Sequence, residues 1–108
     1  MARALLRRNA MAVTYEQARE IVRERFEPGW VHGSFCLDDR LIVENDEFYV
    51  FNMDAREYIV DGDISFATAG GVTIVFKEDG RVESRPSFEI ATDPSIRSTP
   101  NPNPTLQL

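Results

Sequence analysis

His32 and Cys36 occur once each in the chain and are the first residues to weigh as a base and a nucleophile. A histidine that activates a thiol must come within ~3 Å of it. Four residues apart on one strand, at ~3.3 Å each, their backbones stand ~13 Å apart with side chains projecting in parallel. The spacing therefore excludes the dyad, and a buried cysteine beside a partly buried histidine is expected. One histidine and one cysteine also fall short of a structural zinc site. Asp61-x-Asp63 could open a calcium loop, but Ser65 and Phe66 stand where that loop needs a ligand and its glycine. Gly70-Gly71 is too short and isolated to cradle a phosphate and reads as a turn. The sequence thus predicts no catalytic site, no cofactor and no metal.

Two other groups point to binding. Asp38, Asp39, Glu44, Asp46, Glu47, Asp61 and Asp63 concentrate acid in and near expected turns. They suit either a solvated rim or a docking surface for a basic protein, since complementary charge speeds encounter and sets register. The run Phe48-Tyr49-Val50-Phe51 is apolar on both faces of an expected antiparallel strand, where one face is usually polar. A helix can cover one face. The second needs the 54–70 segment, a partner, or a second copy in a homodimer. Trp30, Tyr49 and Phe51 are the aromatic anchors that a partner would bury. The expected partner-binding set is Trp30, Asp38, Asp39, Asp46, Glu47, Tyr49, Phe51, Asp61 and Asp63.

The elements that must position these residues begin with a helix at Thr14. Thr14 and Gln17 have the spacing of a capping box. Tyr15, Ala18, Val22 and Phe26 recur at helical intervals with Ile21 alongside, while Arg19, Glu20, Arg23, Glu24 and Glu27 form the polar face. Pro28-Gly29 ends the helix. The period then changes to two, with runs at 30–36, 41–44 and 48–52 separated by the turn formers Asp38-Asp39 and Asn45-Asp46. Residues 54–58 (DAREY) have helical propensity, and Asp61-Gly62-Asp63 and Ala69-Gly70-Gly71 read as turns. Runs at 72–76 and 81–84 flank Glu78-Asp79-Gly80, a hairpin signal. The predicted architecture is α+β, an N-terminal amphipathic helix packed on an antiparallel sheet of about five strands. It occupies residues 13–91, between an N-terminal extension (1–12) and a Pro/Asn-rich tail (92–108) expected to be extended or disordered.

Composition bounds the function. The chain has 108 residues, 43% of them hydrophobic, enough for one globular core. Its net charge is −6, and residues 12–91 alone hold seventeen acids against eight bases. So acidic a body repels phosphate and makes a nucleic-acid partner improbable, whereas a cationic protein is drawn to it. A lone cysteine favours a reducing compartment, no apolar run approaches a membrane span, and a signal peptide's apolar stretch is missing. A cytoplasmic protein without a membrane partner is expected.

The order of these signals resembles the YrhB-like domain, also described as immunity protein 35. A helix opening Thr14-Tyr15-Glu16-Gln17-Ala18 precedes an acidic turn and the aromatic strand. Ala55-Arg56-Glu57-Tyr58, Gly62-Asp63, Ala69-Gly70 and Gly80 then follow in the family's order. The resemblance covers residues 14–85 and is closest over 48–82; after Ala69-Gly70 this chain continues Gly71-Val72-Thr73 where the family tends to place Asn and Pro. It implies a small bacterial immunity protein that neutralises a toxin domain, often a basic nuclease, by binding it, and it brings no catalytic residues. The alternative from the residues alone is a chaperone-like or housekeeping protein-binding module, unrelated to toxins.

Overall fold

A computed structural model of the chain describes residues 12–68 and 71–108. The expected N-terminal extension, apart from Ala12, and the expected Ala69-Gly70 turn lie outside the described residues.

Helix α1 spans Tyr15–Phe26. Its start is fixed as the capping box requires: Gln17 N–H donates to Thr14 Oγ1 at 3.1 Å, and Thr14 N–H donates to Gln17 Oε1 at 2.9 Å. Tyr15, Ala18 and Val22 are buried. So is Arg19, which the helical spacing placed on the polar face. Its stem lies along the apolar stripe beside the Tyr15 ring, 5.7 Å from guanidinium carbon to centroid, and its head finds a buried acid.

Five strands follow: β1 (Phe35–Glu44), β2 (Phe48–Ala55), β3 (Val72–Phe76), β4 (Val82–Arg85) and β5 (Arg97–Pro100). One turn of helix, α2 (Arg56–Ile59), and a 3₁₀ turn (Ile64–Phe66) lie between β2 and β3, and a short helix, α3 (Ser87–Ala91), precedes β5. The sheet order is β4-β3-β2-β1-β5, with every neighbouring pair antiparallel. The α+β class, the N-terminal helix and the five-stranded antiparallel sheet agree with the sequence reading.

Three details differ. Asp38-Asp39 makes no turn: β1 runs through it with an irregularity. Asp38 pairs with Asn52 and Val43 with Val50, so residues 39–42 stand opposite Phe51 alone. Extra residues in one strand bend it locally and re-aim side chains.

The second difference concerns the aromatic strand. Phe48, Tyr49, Val50 and Phe51 are all buried. Tyr49 and Phe51 face α1, with Tyr15 stacked on Phe51 at 5.3 Å and edge-on to Tyr49 at 5.6 Å. Phe48 and Val50 join Ile74 on the opposite face, where Ile90 of α3 and Ile96 pack against them. Residues 86–96 therefore provide the second cover, rather than the 54–70 segment or a partner.

The third is the tail. Residues 97–100 form β5, paired with residues 41–44 of β1, and an edge strand tolerates Pro100 because its outer side needs no donor. The tail is extended as expected, but it is part of the sheet. Pattern reading passed over it because Ile96, the apolar residue that anchors the chain just before β5, stands alone among polar residues.

Candidate partner-binding surface

His32 Nε2 donates to the Phe66 carbonyl at 2.6 Å. Cys36 is buried, and desolvation raises its thiol above the ordinary value despite the opposing charge of Arg56. Neither is poised for nucleophilic chemistry. Asp63 is occupied in capping the 3₁₀ turn, accepting from Ser65 N at 3.0 Å and Ser65 Oγ at 2.6 Å. Among the described residues no group of three or more His, Cys, Asp or Glu is placed to hold a metal ion.

The expected partner-binding residues separate. Tyr49 and Phe51 are core and unavailable to a partner. Asp39 is wholly buried and is no rim acid, because the bulge in β1 turns it inward. Asp38 is locked in a two-pronged pair with Arg40, at 2.8 Å to Nε and 2.7 Å to Nη2. Those hydrogen bonds hold its carboxyl below the ordinary value against the pull of desolvation. Trp30 is exposed only in part: its ring sits edge-on to Phe35 at 5.4 Å, and Nε1 donates to the His32 carbonyl at 2.5 Å. Asp61 and Asp63 are exposed on the α2–3₁₀ connection. Asp46 and Glu47 are exposed at the β1–β2 turn, with Arg97 3.3 Å from Asp46.

That turn lies beside the β3–β4 hairpin, since Lys77 N–H donates to the Glu47 carbonyl at 2.8 Å, and beside α1, since Val13 N–H donates to the Lys77 carbonyl at 2.8 Å. The three elements thus share one end of the sheet. There α1 presents Glu16, Glu20 and Glu24 one helical turn apart, all exposed. Together with Val13, Gln17 and Ile21 they line a shallow groove of about 520 Å³. The apolar floor is Val13 and Ile21, against which Gly80 at the hairpin tip packs closely enough that a Cβ there would lie 3.2 Å from Ile21 Cδ1. Asp46, Glu47 and Asp79 extend the acidic field from the adjoining turns. Sequence reasoning placed Glu20 and Glu24 on the polar face without singling them out. The signal was their spacing: like charges at i and i+4 cost a helix ~0.2–0.5 kcal/mol per pair, and Glu16, Glu20 and Glu24 make two such pairs in succession.

Asp39 belongs to a different construction. Its carboxylate accepts from Arg19 Nη1 at 3.1 Å, Thr105 N at 2.7 Å, Thr105 Oγ1 at 2.5 Å and Leu106 N at 3.0 Å. Desolvation pushes the carboxyl up, but these hydrogen bonds with the Arg19 charge outweigh it and hold the group below its ordinary value. Asn101 Nδ2 donates to the Asp39 carbonyl at 2.8 Å, and Asn101 N–H to the Arg40 carbonyl at 3.0 Å. Arg23 donates to Thr105 Oγ1, and Arg56 Nη2 to the Gln107 carbonyl at 2.7 Å. Residues 101–107 are thereby strapped across β1.

Comparison of the chain with protein-family models, with curated proteins and with solved structures finds no match.

Proposed function

We propose that this domain is a non-catalytic binding protein that docks a cationic protein partner on the outer face of α1 and the adjoining turns, in the manner of an immunity protein neutralising a basic toxin domain. The observation that carries the reading is the Glu16–Glu20–Glu24 stripe around the Val13–Ile21 floor. Three like charges on one helical face weaken the helix, and a complementary surface would remove that cost on binding. The apolar floor supplies the desolvated centre and the acids supply the rim and the long-range attraction. The immunity assignment itself rests on the family resemblance of residues 14–85; the charge and the groove support the class of partner.

The test compares the native protein with an E16K/E20K/E24K variant, each immobilised and exposed at low salt to lysate of the source cells. Stoichiometric recovery of one basic protein by the native chain, and its loss with the variant, is expected. Equal recovery by both, or self-association alone, overturns the reading. With the partner in hand, the variant should associate at least about tenfold more slowly at low salt, with a flattened salt dependence.

A further inference from the structure

The groove on the outer face of α1 sets three carboxylates around an apolar floor. Of Glu16, Glu20 and Glu24, only Glu20 is in an ion pair among the described residues, with Arg23 at 3.7 Å. Lys77, whose backbone carbonyl holds Val13, commits its ammonium elsewhere, to Glu44 at 2.6 Å and over the Tyr49 ring at 4.7 Å. The repulsion along the stripe is therefore left largely uncompensated by the described body. The floor residues Val13 and Ile21 are only half-buried.

The chain enters this groove at its floor. Val13 is pinned through both backbone groups: its N–H donates to the Lys77 carbonyl at 2.8 Å, and its carbonyl accepts from Tyr49 Oη at 3.2 Å. The segment that precedes it thus starts beside the acids. That segment, residues 1–11, lies outside the described residues and reads MARALLRRNAM. It carries Arg3, Arg7 and Arg8 and no acid, with Leu5 and Leu6 between the arginines. Its three positive charges match the three negative charges of the stripe, and its leucines match the floor.

We propose that residues 1–11 dock back onto the outer face of α1, with the arginines against Glu16, Glu20 and Glu24 and Leu5-Leu6 on the Val13–Ile21 floor. The chain then fills its own cation-binding groove until a partner displaces the segment. The inference takes its location from the docking face assigned above and needs no external partner. The reach is sufficient at either extreme of backbone extension. From Tyr15 to Glu24 the helix rises ~14 Å. From Ala12 back to Arg3 the chain covers ~14 Å at helical rise and ~30 Å fully extended. Covalent attachment at Val13 gives the segment an effective concentration on the order of millimolar, so even a weak ionic contact closes the groove. A cationic partner then binds with an affinity reduced by the fraction of chains that are closed.

The test uses the full, isotopically labelled chain with a nitroxide on an Ala4→Cys substitution. Cys36 is buried, and the chain without A4C, treated alike, checks that it takes no label. Broadening of the Glu20, Ile21 and Glu24 amides at low salt, removed by adding R3Q/R7Q/R8Q, is expected. Broadening that R3Q/R7Q/R8Q leaves unchanged, or that stays confined to residues 13–16 beside the attachment point, overturns the docking. Nitroxide on one set of chains and isotope on another reads contact between copies, and equal broadening there overturns docking within one chain. A fluorescent peptide of residues 1–11, added in trans, reads occupancy. The R3Q/R7Q/R8Q chain should bind it about threefold more tightly than the native chain, the factor for a groove closed about two-thirds of the time. Equal affinity for both chains, or none for either, overturns the occupancy. Failure here leaves the capture of a cationic partner untouched, and failure of that capture leaves these readings untouched.

Discussion

At Gly33 the backbone has a φ of +64°, and a Cβ there would meet Glu57 Oε1 at 2.7 Å and both Ala55 Cβ and Phe66 Cδ1 at 3.0 Å. Conformation and space both demand glycine, because this turn brings Ser34 onto the Glu57 carboxylate with bonds of 3.0 and 3.1 Å. Gly33→Ala should cost at least ~1–2 kcal/mol from the left-handed backbone alone, read by urea denaturation; a loss within error would show that the loop adapts. Asp39 yields a second prediction. Removing one member of a buried ion pair leaves the other uncompensated, so Asp39→Asn should cost about 3–5 kcal/mol at neutral pH. The groups facing this carboxylate are Arg19 and Tyr15 of α1, Asp38 beside it in β1, and Thr105 and Leu106 of the strap. Tyr15, pushed to about 12 by burial and then by Asp39, stays neutral throughout. Because the folded carboxyl is depressed, its contribution is complete above the unfolded-chain value of about 3.9 and lost as pH falls through the lower folded value. The stability gap between native and D39N should therefore narrow in acid, and a gap independent of pH would remove the carboxylate from the account.

Among the elements, α1 was the most legible in the sequence and β1 the least. A capping box, a 3.6-residue stripe and a Pro-Gly stop all agree on α1, and the packing did not overrule them. In β1 the adjacent acids Asp38 and Asp39 read locally as a turn. Tertiary structure overrode that preference: Asp38 pairs with its near neighbour Arg40, but Asp39 is drawn inward by Arg19 and by Thr105 and Leu106, residues too distant in sequence for any local window to hold. The candidate surface was legible only in kind. Acidity was plain, but the rim acids divided between buried, paired and exposed according to the bulge, and the α1 stripe was overlooked. That stripe allows stability and binding to be separated. Glu20→Lys replaces the repulsive i, i+4 pairs with Glu16 and Glu24 by attractive ones, and exchanges the 3.7 Å pair with half-buried Arg23 for a like-charge i, i+3 contact. Its thermal midpoint should be unchanged or slightly raised while association with a cationic partner slows. A variant that unfolds more easily and binds as before would place the stripe's role in the fold.

For the whole molecule, the sheet is a middle layer with α1 on one side and residues 86–96 on the other. The first cover was foreseeable because its apolar residues are periodic; the second was not, because two isoleucines suffice for it. The neighbour order β4-β3-β2-β1 is a plain meander whose strands are joined in sequence, whereas β5 returns from Arg97 to pair with Glu44. That difference in loop length carries over to the order of events in time. Hairpins close cheaply and early, and a distant strand held by polar contacts joins afterwards. The same strand should be the first to open under native conditions, as a separate unit of low local stability. Amide exchange of Ile42 and Glu44 would then be expected to follow the opening of the strap, while Tyr49 to Phe51 exchange only when the entire domain unfolds.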